Sequence, residues 1–476
     1  VCNEATSYQP HESNLVLNAL LDGLLTCVKP DMFDLIESPI APAPMKRLFF
    51  LCFLACISLP VIAQSTWIRA GGVIDVESGT VLENQIIRID DERIAEMGSD
   101  LRVPPGAEVI DLSTSYVMPG LIEAHTHLAL STQERRDFGR FFITNVIETT
   151  GYRAIQGVTN ARSLLEHGFT SIRDLGNSGN YGDLDLKHAI EHGWIPGPDM
   201  QTVGRIISPF GGQFQLQPEH PELVAPEYLV ADTQDEIIRA IRQNLHYGAD
   251  LIKIVVDDFA YQYTEDDLRF AVESTERAGT KVAMHVTTYD GAKNAIRAGA
   301  ASLEHAWELD QEALDMMVEQ GTFLVGTDFP SYYAGYFAGY DDALAQKLYD
   351  QRIDRLRRAY QAGVQIAFGA DVTDQKDGFT RGSLTISFIS SFKDAGISPE
   401  DLLRIMTING AKLMDWDDDK GTVAVGKHAD LIALSANPLD DPDALLDVHF
   451  VMKRGDVYKQ GGRFVWEVPA VIEATE

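Results

Sequence analysis

Six side chains of types that hold divalent metal ions through nitrogen or oxygen stand in or at the ends of apolar runs in this sequence. His125 and His127 stand two apart at the end of an apolar run, Leu121 to Ala124. In a strand that spacing points both imidazoles to the same face, which supplies half of a tetrahedral site. A lone His-x-His pair is common in packed cores. Here it is answered by His285, His305 and Asp371, each of which closes a later apolar run. Lys253 interrupts Leu251-Ile252-Lys253-Ile254-Val255-Val256, a segment that reads as a fully buried strand. A buried ammonium is unfavourable unless paired. Beside two metals the amine could instead carry a bridging carbamate; an internal salt bridge is the alternative. All four cysteines (Cys2, Cys27, Cys52, Cys56) precede Ala63, so no thiolate or disulfide is available after it.

The elements that must position these groups follow a repeated grammar. A helical stretch ends in glycine, and an apolar run ending in a polar residue comes four to eight positions later. Gly168 leads to Arg173-Asp174, Gly248 to Lys253, Gly279 to His285, Gly299 to His305, Gly321 to Thr327-Asp328 and Gly363 to Asp371. Glycine suits the left-handed position past a helix end. Short apolar runs suit parallel strands buried on both faces. Thr233 with Glu236 and Thr264 with Asp267 mark helix starts. With Gly120–His125 and Met200–Arg205, the count is eight strands alternating with helices, the size of a (β/α)8 TIM barrel over residues 119–420. A doubly wound open sheet is the rival, but no Gly-rich phosphate loop follows any strand. Residues 64–118 and 421–476 read as hairpins and short strands. They predict a small β-sandwich domain formed by both chain ends.

Met45-Lys46-Arg47, the apolar run Leu48–Leu59 and Pro60-Val61-Ile62-Ala63 have the form of a signal peptide, too short to span a bilayer. Residues 1–44 read as an upstream extension, with translation expected from Met45 and cleavage after Ala63. The protein is therefore expected outside the cytoplasm, periplasmic or extracellular, with no membrane attachment after cleavage. The formal net charge of −32 repels nucleic acid and anionic lipid. A homo-oligomer is left open.

The set His125-Thr126-His127, Lys253, His285, His305 and Asp371, in this strand order, resembles the binuclear, carboxylated-lysine branch of the amidohydrolase superfamily. Pro119 to His127 resembles that family's first barrel strand. Thr407-Ile408-Asn409-Gly410-Ala411 resembles its last barrel helix, and Gly421 to Leu431 its return to the β-domain. The likeness covers nearly all of residues 64–467 and is closest to imidazolonepropionase-like and Xaa-Pro dipeptidase (prolidase)-like members. It implies two divalent ions, Zn²⁺ ahead of Mn²⁺ or Co²⁺. His125, His127 and Asp371 would hold one, His285 and His305 the other, with carboxylated Lys253 between them. It further implies a metal-activated water, with Asp371 as general base and then acid. Asp328 competes for that role, because Gly326-Thr327-Asp328 looks more like the family's usual motif than Gly369-Ala370-Asp371 does. Strand order favours Asp371.

The implied reaction is hydrolysis of an amide or peptide C–N bond in a small molecule such as a dipeptide or N-acyl amino acid. A lactone or phosphotriester is the alternative substrate on the same centre. A metal-containing binding protein without turnover is the alternative outside catalysis. Arg173 and Arg205 end strands 2 and 3 and could clamp a substrate carboxylate, or pair with acids at the barrel mouth. Gln213 stands where relatives often carry histidine, and Val286-Thr287-Thr288 stands where dipeptidase-like members carry tyrosine close to the histidine. Both departures count against a dipeptide. Tyr261, Tyr263 and Tyr289 are candidates to line the pocket, and Phe329–Tyr340 to form a lid.

Overall fold

The structure, a computed structural model, describes residues 65–137, 139–214, 218–258, 262–337 and 341–467. The segment expected to be a signal peptide, Tyr261 and the end of the proposed lid lie outside them. In chain order the strands are β1 (Thr66–Asp75), β2 (Thr80–Asp90), β3 (Arg93–Gly98) and β4 (Glu108–Pro119), then β5 (Leu121–Thr126), β6 (Phe169–Asp174) and β7 (Asp199–Thr202). There follow β8 (Ile206–Ser208), β9 (Tyr228–Val230), β10 (Ile252–Val255), β11 (Val282–Val286), β12 (Ser302–His305) and β13 (Phe323–Val325). The last are β14 (Leu431–Leu434), β15 (Val448–Lys453), β16 (Asp456–Gln460) and β17 (Arg463–Phe464).

The two ends of the chain meet in one eight-stranded sheet, ordered β17-β16-β15-β14-β4-β1-β2-β3. The junction is antiparallel, with Leu431 opposite Pro119 and Leu434 opposite Tyr116. Both hairpins expected from the sequence are present, β2–β3 and β15–β16. The strands of the expected β-domain all belong to this one hydrogen-bonded sheet. Its edge strand β3 bonds back to residues 426–429, through Ile94 N–H to Lys427 O and Ala429 N–H to Glu92 O. Ile68, Ile87, Leu112, Leu431 and Phe450 lie in the apolar core so enclosed.

The middle of the chain is a TIM-barrel-like α/β arrangement of parallel strands alternating with helices. The strands belong to two sheets, β5-β6-β7 and β13-β12-β11-β10-β8-β9, and they form no closed barrel on their own. Backbone hydrogen bonds cross both gaps. Asp250 N–H donates to Thr202 O beside β7. At the other side Leu324 N–H donates to Gln365 O, Ala124 N–H to Phe368 O and Asp371 N–H to His125 O. Residues 364–371 thus run between β13 and β5 without the regular pairing of a strand. The predicted strand Met200–Arg205 is met by two short ones: β7, whose Thr202 O accepts from Asp250 N–H just before β10, and β8, which pairs with β10; β9 was not expected.

β5, β6, β10, β11 and β12 are buried at every position, as parallel strands covered on both faces must be. The glycine grammar has its expected cause. Gly299 and Gly321 end helices Tyr289–Ala298 and Gln311–Gln320 at φ 93° and 72°. Thr233 and Thr264 both form capping boxes. The core reaches the site through Phe368, fully buried, with ring centroids 5.9 Å from Phe169 and 5.6 Å from Phe392. It fixes the segment that carries Asp371; Phe368→Ala would cost about 3–5 kcal/mol. Among the described residues no helix is long and apolar enough to cross a membrane.

Candidate metal centre

The C-terminal ends of β5, β11 and β12 and of residues 364–371 bring five of the predicted groups together. His125 and His127 face inward from β5, their ring centroids 5.2 Å apart. His305 lies 4.9 Å from His125 and 4.5 Å from His285, centroid to centroid. Asp371 Oδ1 is 3.2 Å from His127 Nε2 and 3.8 Å from His125 Nε2, and its Oδ2 is 3.9 Å from His305 Nδ1. One donor atom each from His125, His305 and Asp371 lies within 4.8 Å of the others. His285 completes the histidine row but turns its Nε2 to Asp258 Oδ1 at 3.1 Å. The backbone is bent to make this cluster. His305, Thr327 and Asp371 are non-glycine residues at φ 64°, 50° and 51°, a strained conformation that concentrates at functional sites.

Hydrogen bonds select which nitrogens face the centre. His125 Nδ1 donates to Glu304 Oε2 at 2.7 Å and His127 Nδ1 to the Gly176 carbonyl at 2.7 Å. Each Nε2 is thereby left as a lone-pair donor. His125 Nε2 is buried with no hydrogen-bond partner. So is Lys253 Nζ, on a residue only 2 % exposed. Burial, reinforced by Arg173, brings the Lys253 amine down to about 8, although Glu304 and Asp371 pull the other way. Burial and the Lys253 charge likewise hold His125 down to about 4, so its ring is neutral and able to ligate. Burial alone would raise the Asp371 carboxyl, but His125 and His127 outweigh it and hold the group below its ordinary range. Two unpartnered buried nitrogens beside a carboxylate and all-nitrogen-and-oxygen donors fit a divalent cation.

The substrate residues expected from the sequence divide. Arg173 is committed inside the fold: Nε donates to Ala124 O, Nη1 to Ser302 Oγ and Nη2 to Glu304 Oε1 at 2.7 Å. It steadies the carboxylate that holds His125. Arg205 is turned away from the cluster. Gly204, at φ 68°, redirects the chain after β7. Its guanidinium donates to Tyr228 O and lines a cavity of about 280 Å³ against helix Gln234–His246. Gln213 does reach the site's edge, donating to Asp258 Oδ2 at 2.6 Å while accepting from Tyr228 Oη. Tyr289 is 47 % exposed at a helix start. Tyr263 is buried and bonded to Ala231 O. Asp328 lies elsewhere, its Oδ1 in a buried ion pair with Arg355 at 2.8 Å and its Oδ2 without a hydrogen-bond partner.

Three acids were missed. Glu304 lies between His125 and Arg173, Asp258 beside His285, and Glu123 Oε1 accepts from the backbone of both His125 and Ala370 at 2.9 Å. Glu304 gives a weaker form of the signal that Lys253 gives, a charge closing the short run Ala300-Ala301-Ser302-Leu303. The profile of the amidohydrolase family matches residues 116–459.

The chain belongs to the amidohydrolase family. This amidohydrolase is accordingly a hydrolase of carbon–nitrogen bonds. It is 29% identical to an ochratoxinase of Aspergillus niger over 85% of its own length and 88% of the relative's. It is 24% identical to the imidazolonepropionase of a Geobacillus species over 81% and 91%. Among solved structures it is similar to a Xaa-Pro dipeptidase with methionine in its active site, at a TM-score of 0.74 and 29% identity. That alignment covers 83% of this chain and all of the other.

Proposed function

We propose that this amidohydrolase cleaves the amide bond of a small N-acyl amino acid or dipeptide at a centre of two divalent ions, zinc by preference. His125, His127 and Asp371 would hold one ion, and His285 and His305 the other. Lys253, as its carbamate, would join them. We read the two parallel sheets and residues 364–371 as one (β/α)8 barrel with this centre at its C-terminal mouth, and Met45–Ala63 as an export signal. The observation that carries the reading is the meeting of His125, His127, His305 and Asp371 beside a buried lysine whose Nζ has no partner.

Bound ions of this kind supply Lewis acidity and lower the pKa of a coordinated water. The protein's own groups do the rest. Asp371, held ionised by its histidine neighbours, accepts the proton of the attacking water. It then delivers that proton to the departing nitrogen. Glu304, fixed by Arg173, keeps His125 in the tautomer that presents Nε2. Gly176 O does the same for His127. The ochratoxinase and Xaa-Pro dipeptidase relatives support an amide or peptide substrate, and the methionine bound to the latter supports one with a free carboxylate.

The test is chelation followed by reconstitution, assayed on dipeptides, N-acyl amino acids, lactones and phosphotriesters. Turnover of an amide that is lost on chelation and regained with Zn²⁺ supports the proposal. Turnover confined to the lactones or phosphotriesters refutes the bond assignment, and full activity after chelation refutes the metal.

A further inference from the structure

With Arg173 spent on Glu304 and Arg205 facing away, neither arginine expected from the sequence is free to meet an anionic substrate. A third one is. Arg352, on helix Asp342–Ala362, is only 6 % exposed, yet its Nε has no hydrogen-bond partner. Its neighbour Asp328 gives Oδ1 to Arg355, and among the described residues no carboxylate forms an ion pair with Arg352. What holds the guanidinium is aromatic: its Cζ lies 4.2 Å from the Trp307 ring centroid and 5.6 Å from that of Phe329. Trp307 in turn packs edge-on against His305, centroids 6.0 Å apart, and is 36 % exposed. This guanidinium, its Nε unpartnered, therefore sits one side chain away from the candidate metal centre, at a partly open indole.

A buried guanidinium whose one carboxylate neighbour, Asp328, is ion-paired to Arg355 is unfavourable, and a stacked indole compensates only part of that. Burial and the like charge of Arg355 push Arg352 down to about 10, partly countered by Asp328. A carboxylate arriving at the open side of Trp307 would meet a planar, pre-oriented pair of donors.

We propose that Arg352, positioned by Trp307, is the receptor for the substrate's carboxylate. This rests on the reading of the site as one for small amides bearing a free carboxylate, and it names the group that selects them.

The test uses the metal-loaded protein and two probes without a cleavable acyl bond, N-methanesulfonyl-leucine and N-methanesulfonyl-leucinol, titrated by calorimetry. The wild type should bind the acid about 10- to 100-fold more tightly than the alcohol, the range for a hydrogen bond to a charged group. Arg352→Met should bring the two affinities together by weakening the acid alone. Arg352→Lys, which keeps the charge but not the fork, should restore part of the preference. Unchanged binding of the alcohol shows that the variants are folded. A preference that survives in Arg352→Met, or is missing from the wild type, overturns the assignment. The two readings fail separately. Preferential binding that depends on Arg352, with no amide turned over, removes the hydrolase reading and leaves the receptor. Turnover without carboxylate preference does the reverse.

Discussion

Two clusters of buried charge lie at opposite ends of the parallel strands, and they are built on opposite rules. At the start of β7, Asp199 meets Lys420 at 2.6 Å, Lys453 at 3.2 Å and Arg454 at 2.7 Å, and Lys420 also pairs with Asp430. Every member there has a partner, and the cluster ties the β7 end to the terminal sheet through β15. At the far end, His125 Nε2 and Lys253 Nζ are buried with none. A protein that satisfies one set so completely and leaves the other open is holding the second for something that binds. Charge pairing at the first end serves stability, whereas the groups left unpaired at the second are those that the proposed metal centre would use.

The contrast can be broken most severely at Asp371. Asp371→Asn should lower kcat by about 10²- to 10⁴-fold, the usual weight of a proton-transfer group, with metal content largely kept and little change in melting temperature. Asp328→Asn should do the opposite, lowering the melting temperature through Arg355 while kcat stays close to wild type. Steady-state kinetics and thermal melts on both variants separate the two aspartates.

At the paired end, Asp199→Asn should lower unfolding free energy by about 3–5 kcal/mol, since it strands buried cations, and leave kcat unaffected at temperatures where the protein is folded. The pH dependence has a definite sign. Lys420, Lys453 and Arg454 outweigh burial and hold the Asp199 carboxyl far below its ordinary range. Its contribution is therefore complete above about pH 4 and is lost as the pH falls below that. Denaturant titrations should show wild type and variant diverging at neutral pH and converging in acid.

Smaller changes sharpen the picture at the open end. Glu304→Gln should weaken metal binding by about 10- to 100-fold, as loss of a histidine-orienting carboxylate does, measured by chelator competition. Lys253→Met should raise the stability of the metal-free protein by about 1 kcal/mol, because an unsatisfied buried amine is removed. The same substitution should bring bound metal below that of the wild type.

Much of this was legible in the sequence because it depends on short-range rules. The two-residue period puts His125 and His127 on one face. A lysine inside an apolar run marks a buried charge, and glycine after a helix announces the next strand. The order of strands was enough to prefer Asp371, which lies among the histidines, to Asp328, which pairs with Arg355. What was not legible depends on distant partners or on local turns. Arg173 finds Glu304 across 131 positions. Arg205 is aimed by the left-handed turn at Gly204, which also divides the predicted third strand into β7 and β8. The terminal sheet escaped for a related reason: alternation reveals strands, but not whether they join one sheet or two.

The most direct test is a crystal of the protein grown with Zn²⁺ and measured at the zinc absorption edge. Two anomalous peaks should appear among His125, His127, His285, His305 and Asp371, with density for a carboxylated Lys253 between them. Absence of any peak there, or zinc bound only elsewhere while Lys253 remains an unmodified amine, would contradict the account.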